Sequence, residues 1–321
     1  MNSAICTLFE GDYHYGVAAL TNSLQRSGFR GSMFAGHRGD LPKWALAGKA
    51  INLEPWPGAR SLQIEDGLDI TFLPLSTVHH LTNYKPQFML DLLDGPGSGC
   101  DALFYLDPDI CVTAPWRYFE QWIDCGVALC EDVNSPLPEH HPRRIGWRRY
   151  YAGFGVQLGF KTTAYVNGGF VGVRAVDRPF LETWHLTMNL MAKEIGSLAV
   201  AKIAAGAAYA STGFANCFDC SDQDALNATV EASSVPVSII GQEAMAFKSG
   251  AALLPHALGP GKPWQRNYLG AALQGVQPRV ADRAYWTYAT APLALYSPLQ
   301  LALKRLDMHV AAALGRFMRK G

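Results

Sequence analysis

Residues 104–112 read Phe-Tyr-Leu-Asp-Pro-Asp-Ile-Cys-Val: an apolar run, two carboxylates one residue apart, then a second apolar run. A strand arriving here ends at Leu106, because Pro108 has no N–H to continue a regular ladder. Asp107 and Asp109 are then two hard oxygen ligands at a strand exit. Such a pair suits Mg²⁺ or Mn²⁺, ions that keep positions open for substrate phosphates. The plain alternative is an Asp-Pro-Asp turn joining two strands.

Far downstream, residues 255–264 read Pro-His-Ala-Leu-Gly-Pro-Gly-Lys-Pro-Trp. His256 offers an imidazole to complete a carboxylate metal site, and Mn²⁺ accepts nitrogen better than Mg²⁺ does. Gly259 and Gly261 let the backbone approach a phosphate closely. Lys262 adds a point charge for a diphosphate. Alone, a single histidine is more often structural. Joined to Asp107 and Asp109, the segment describes a site for a metal-bound diphosphate.

With Asn167-Gly168-Gly169 and Asp222-Gln223-Asp224-Ala225-Leu226-Asn227 between them, these motifs stand in the order seen in glycosyltransferase family 8. That family includes bacterial lipopolysaccharide galactosyl- and glucosyltransferases and glycogenin. The four motifs span residues 104–264, and residues 5–24 resemble the family's first strand, nucleotide loop and helix. The resemblance implies a single GT-A type nucleotide-sugar-binding domain over 1–296. Its mixed, mostly parallel α/β sheet would be flanked by helices and followed by a C-terminal amphipathic helix over 297–321. It also implies retaining, Mn²⁺- or Mg²⁺-dependent transfer of glucose or galactose from a UDP-hexose to a saccharide or glycolipid acceptor.

The resemblance assigns roles residue by residue. Asp107, Asp109 and His256 are metal ligands, and Gly259 and Lys262 face the diphosphate. Leu8, Glu10, Asp12 and Tyr13 fall at uridine-contacting positions, where Glu10 could accept the uracil N3–H. For Glu10 and Asp12 the alternative is a polar turn after a strand. Asn167 matches the family's sugar-binding asparagine, with Gly168 a small donor-site neighbour that lets the sugar approach the backbone, against the ordinary meaning of Asn-Gly as a hairpin turn. Asp222 would hold sugar hydroxyls, against an ordinary helix N-cap. Gln223 would face the anomeric carbon, although an amide is a poor nucleophile. Lys85 falls near a basic donor contact. Proline between the two aspartates departs from the family's usual choice. Residues 134–165 match none of its motifs and are where an acceptor is expected to bind.

The elements that must position these groups alternate. Strands are predicted at 4–9, 31–35, 70–75, 102–106, 127–130, 170–173 and 235–240. Helices are predicted at 16–25, closed by Gly28, and at 85–93, 179–192 and 222–230. Alternation of this kind indicates an α/β sheet with its site at the strand ends. In residues 139–151, four arginines interleave with Trp147, Tyr150 and Tyr151. They read either as a grip on an anionic acceptor or as a loop of arginine–aromatic packing.

Composition narrows the classes. Of 321 residues 49% are apolar, and 27 basic residues balance 27 acidic ones. This is globular composition, with no footprint for nucleic acid. Seven scattered cysteines suit reduced thiols, and the lone Cys217-x-x-Cys220 is a poor zinc site. No signal peptide or transmembrane run is read, and the Ala-rich stretch 203–210 is too short for one. A cytoplasmic protein is expected. The tail could place it at the inner face of the cell membrane: Leu299, Leu303, Leu306, Val310, Leu314 and Phe317 recur at helical spacing beside Lys304, Arg305, His309, Arg316, Arg319 and Lys320. Equally, that stripe could pack on the domain.

Two other functions compete: a nucleotidyltransferase on a related sheet and a catalytically silent nucleotide-sugar-binding scaffold. The first wants a basic Gly-rich loop after strand one, yet residues 8–16 contain no lysine or arginine. The second has no use for Asp107, Asp109, His256 and Lys262 together.

Overall fold

The computed structural model describes residues 1–65, 67–201 and 217–318. The Ala-rich stretch 203–210 and the basic residues Arg319 and Lys320 lie outside the described residues.

The strands are β1 (Ser3–Glu10), β2 (Gly31–Arg38), β3 (Lys49–Ala50), β4 (Arg60–Glu65), β5 (Leu68–Pro74), β6 (Ala102–Leu106), β7 (Val127–Glu131), β8 (Val166–Arg174) and β9 (Val237–Ile240). They form one sheet in the order β3-β4-β5-β2-β1-β6-β8-β7-β9. The ladders from β5 through β2 and β1 to β6 are parallel, and β7 runs parallel to β9. Only β4 and β8 are reversed. The expected mixed, mostly parallel sheet is therefore present. Its central strands are apolar on both faces, as strands covered on both sides must be.

The helices are α1 (His14–Ser27), α2 (Leu81–Asp94), α3 (Trp116–Trp122), α4 (Pro142–Ala152), α5 (Arg178–Ile195), α6 (Ser221–Ala232), α7 (Tyr268–Leu273), α8 (Val280–Tyr288) and α9 (Pro298–Phe317). Alternate residues of β1 and β6 feed two cores. Cys6, Leu8, Leu103 and Tyr105 pack with α2, α4, α5 and α6. Ile5, Phe9, Phe104 and Leu106 pack with α1 and α3. Gly28 ends α1 in the left-handed conformation, which a glycine adopts without a Cβ penalty.

Helices α7, α8 and α9 share a third, smaller core around Tyr268, Trp286, Leu301 and Met308. Asn22 of α1 ties this layer to the sheet, donating to the carbonyls of Tyr288, Thr290 and Leu293 and accepting from the Leu293 N–H. Among the described residues no helix is long and apolar enough to cross a membrane.

The arginine-rich segment is a helix turned inward. On α4, Arg144 and Arg148 both pair with the buried Glu231 of α6, and Arg143 reaches Asp219 at 2.9 Å. Trp147 is fully buried and donates to the Cys217 carbonyl. These three guanidinium groups bind the protein's own carboxylates, so the grip on an anionic acceptor gives way to the packing alternative. Arg149 alone of the four faces solvent.

Candidate active site

β6 delivers Asp107 to the C-terminal edge of the sheet. The Asp107 N–H donates to the Gly169 carbonyl at 2.8 Å, and the Ile110 N–H returns to the Asp107 carbonyl, closing a tight turn around Pro108. The run after the turn joins no sheet strand. It pairs instead with the downstream loop: Ile110 bridges His256, the Ala257 N–H donates to Asp109 O, and the Cys111 N–H donates to Pro255 O. This pairing carries an imidazole from 147 residues away onto the two carboxylates.

Asp107, Asp109 and His256 each present a ligand atom, all within 4.8 Å of one another. His256 Nε2 lies 3.2 Å from Asp109 Oδ1 and 3.8 Å from Asp107 Oδ2. Asp109 and His256 are almost wholly buried, while Asp107 keeps an open side. Two carboxylates and one imidazole converging on a single point fit Mn²⁺ or Mg²⁺ by the chemistry of the donors.

Two lysines surround this trio. Lys262 Nζ sits 2.5 Å from Asp109 Oδ2 and donates to the Ala257 carbonyl. Burial opposes ionisation of Asp109, but His256 and Lys262 overcome it and hold its carboxyl far below the usual range. Lys85, fully buried on α2, contacts Asp107 Oδ1 at 3.1 Å, Asp222 Oδ2 at 3.1 Å and the Gly168 carbonyl at 2.8 Å. Burial would lower its pKa, yet the two carboxylates raise it, so it stays charged. Tyr105 completes the shell by donating to Asp107 Oδ1 at 2.7 Å.

Asn167 and Gly168 do not form a hairpin turn. They lie extended at the start of β8, where the Asn227 side chain bonds both backbone groups of Val166. The two glycines are required by close approach. A Cβ on Gly168 would meet Asp222 Oδ2 at 2.7 Å, and one on Gly169 would meet His256 Cε1 at 2.6 Å and Asp107 Oδ2 at 2.9 Å. Asn167 Nδ2 donates to Asp132 Oδ2 at 2.6 Å and to Gln223 Oε1 at 2.9 Å. The Gly168 N–H also points at Gln223 Oε1. The Gln223 oxygen is thus engaged as an acceptor. Asp222 stands in the first turn of α6, but its side chain turns to Lys85, and Cys220 holds the N-cap position.

The residues expected to contact the nucleotide divide. Tyr13 meets the glycine loop directly: Trp264 stacks edge-on against its ring at 5.6 Å, and Lys262 lies over that ring. Asp12 accepts from Trp264 Nε1 and from Gln265 Nε2, tying the loop after β1 to the chain beyond Lys262. Glu10 is paired with Arg38 of β2 at 2.7 Å. Leu8 is buried in β1 against Gly36. Gly259 and Gly261 have φ of +74° and +72°, a region that favours glycine, with open space where a Cβ would sit.

Asp132 escaped sequence reasoning. It is nearly fully buried, just past β7, and bonds the same Asn167 that holds Gln223. Its only local signal was an acidic pair, Glu131-Asp132, at a strand exit.

No protein-family model and no curated protein matches the chain. Solved structures do match. The galactosyltransferase LgtC, crystallised with donor and acceptor sugar analogues, aligns over 94% of this chain and 99% of its own, at 14% identity and a TM-score of 0.53. The apo-form glycosyltransferase GlyE from Streptococcus pneumoniae TIGR4 aligns over 97% of this chain at 16% identity and a TM-score of 0.50. This chain spans 64% of the GlyE chain. At such identities the likeness establishes the fold: this chain has the GT-A-like architecture of these glycosyltransferases, as its motifs implied.

Proposed function

We propose that this protein is a retaining glycosyltransferase that moves glucose or galactose from a UDP-hexose to a saccharide or glycolipid acceptor, with Mn²⁺ as its preferred ion. The observation that carries this reading is the meeting of Asp107, Asp109 and His256 with Lys262 on one side and the Lys85–Asp222 pair on the other. That arrangement suits a metal-bound diphosphate beside Lys262 and a sugar beside Asp222. The shared fold with LgtC and GlyE supports glycosyl transfer as the reaction class.

An ion held by Asp107, Asp109 and His256 would neutralise charge that builds on the departing diphosphate. Lys262 donates to that diphosphate in the ground state and as it leaves. Asp222, fixed by Lys85, accepts from sugar hydroxyls, with Gly168 leaving room beside it. On this reading Leu8, Glu10, Asp12 and Tyr13 lie at the base end of the donor site. Gln223 has its oxygen occupied by Asn167 and Gly168, so it orients the sugar rather than attacking it. The acceptor hydroxyl then attacks from the face the diphosphate leaves, and its proton passes to a diphosphate oxygen. Retention of configuration follows.

We infer the acceptor's setting from α9. Leu301, Met308 and Ala311 turn inward, whereas Leu299, Leu306 and Phe317 on the opposite side are 69%, 60% and 88% exposed. Arg305, His309 and Arg316 flank that exposed stripe. An apolar ridge with a cationic flank suits an anionic bilayer surface, where a glycolipid acceptor would lie.

Incubation with a panel of UDP-, GDP- and CMP-sugars, with Mn²⁺ or EDTA, tests the reading by NMR of the products. UDP-hexose turnover that EDTA abolishes is expected. Turnover of a GDP- or CMP-sugar alone, or full activity in EDTA, would overturn it.

A further inference from the structure

Between the C-terminal end of β5, the outer face of α2 and the adjoining face of α5 lies a cavity of about 330 Å³ that the donor site does not use. Its polar groups form a chain. Tyr84 donates to Asp91 at 2.9 Å and Gln87 to the other Asp91 oxygen at 2.6 Å. Across the cavity Asn189 and His185 share a hydrogen bond of 2.8 Å, and the indole of Trp56 adds a buried aromatic wall. Burial lowers the His185 pKa against the pull of Asp91, so its imidazole tends to the neutral form, able both to donate and to accept.

The chemistry of this lining selects a ligand class. Among the described residues no lysine or arginine lines the cavity, so a phosphate or carboxylate entering it would meet Asp91 with no counter-charge from them. Amide, imidazole, phenol and carboxylate groups beside an aromatic wall instead match a neutral ring bearing vicinal hydroxyls. The volume lies near the lower end of ligand pockets, roughly 300–1,000 Å³, which suits a short saccharide.

The cavity also touches the donor site at two points. The His79 carbonyl on its rim accepts from Arg38, the partner of Glu10. Asn83 on its wall accepts from the hydroxyl of Ser221, the residue before Asp222. Asn83 on this wall and Lys85 at the donor site belong to the same helix, α2.

We infer that this cavity is a subsite for a neutral saccharide, holding sugar units of the acceptor that lie away from the one receiving the transferred hexose. The inference rests on the glycosyl-transfer reading above. It adds that the acceptor is an oligosaccharide or carries one, neutral at this position.

The test uses the full chain and the variants Asp91→Asn, His185→Ala and Asn189→Ala, on an array of defined neutral and sialylated oligosaccharides, with UDP affinity measured in parallel by calorimetry. Binding confined to neutral oligosaccharides is expected, weakened at least tenfold by His185→Ala and Asn189→Ala, with UDP affinity and melting temperature unchanged. Neutral-saccharide binding that survives all three variants, preference for the anionic glycans, or no binding at all would overturn it. Loss of UDP binding by the unaltered protein would instead sink the glycosyl-transfer reading, which keeps the two failures distinct.

Discussion

The carbonyl oxygen of Pro108 lies 2.2 Å from where a Cβ on Gly16 would stand. The first turn of α1 is therefore pressed against the turn that carries Asp107 and Asp109, and the proline between them is part of that contact. Gly16→Ala should push the turn away from His256. Overpacking of this kind costs about 1–3 kcal/mol of stability. Displacing ligands by even an ångström can cost about a hundredfold in rate. UDP-sugar hydrolysis should therefore fall much further than the fraction folded. Unchanged hydrolysis in the alanine variant would show that the turn relaxes freely.

Removing one charge from the trio should separate metal function from folding. Asp109→Asn leaves Lys262 and His256 beside a neutral amide, and Asp107→Asn leaves Lys85 with Asp222 alone. Each should reduce hydrolysis by about two to three orders of magnitude, the usual scale for losing preorganised charge stabilisation. Manganese binding followed by electron paramagnetic resonance should weaken in parallel. An Asp109→Asn protein that binds Mn²⁺ as tightly as the parent would remove this carboxylate from the metal site.

Lys85 is predicted to matter for stability as well as chemistry. It is the charge partner of two carboxylates in a buried position, and breaking such a pair by deleting one partner costs about 3–5 kcal/mol. Lys85→Met should lower the urea midpoint without changing the slope. Lys85→Met combined with Asp222→Asn should recover part of the loss, because one orphaned charge is gone. A single variant as stable as the parent would mean that water reaches these carboxylates.

What the sequence made legible divides along physical lines. Buried parallel strands announce themselves as apolar runs, so β1, β6 and the carboxylates at the exit of β6 could be read directly. β4 could not: half-exposed residues along Arg60–Glu65 carry little apolar signal. Nor could α4, because the Glu231 that neutralises Arg144 and Arg148 lies 87 and 83 residues away. Asn167-Gly168 has the local signature of a turn. The Asn227 side chain and the β7–β8 pairing at Val166 hold it extended, a tertiary override invisible in a dipeptide. Asp132 was missed for the same reason, since its meaning comes from Asn167 across the sheet.

Asp224 supplies a pH prediction away from the metal. Burial pushes its carboxyl up to about 7, although Arg143 attracts the charged form and Cys220 N–H and Tyr165 OH bond it. A carboxyl whose folded pKa exceeds its unfolded value of about 3.9 favours folding while protonated. Its contribution is fully present below pH 4 and is lost as the pH rises to about 7. Asp224→Asn lacks this term. The difference in unfolding free energy, variant minus parent, should therefore rise between pH 4 and 7 by an amount on the order of a few kcal/mol. A difference flat across that window would mean that Arg143 keeps Asp224 ionised throughout.

The last prediction concerns the exposed ridge of α9. Deleting the helix would be a poor test, because Leu301, Met308 and Ala311 belong to the core it shares with α7 and α8. Point changes on the two faces separate the readings. Leu306 and Val310 are exposed, so Leu306→Glu with Val310→Glu should leave the melting temperature within a degree or so, as surface changes usually do. Met308→Glu places a charge in the small core and should destabilise strongly. If the ridge meets a membrane, the exposed pair of changes should abolish sedimentation with vesicles containing anionic lipid while UDP-sugar hydrolysis persists. Binding by the parent should also weaken with salt, since each basic residue near the surface contributes about 1 kcal/mol that is screened within a Debye length. Sedimentation that survives both glutamates, or that ignores salt, would assign the ridge to something other than a charged bilayer.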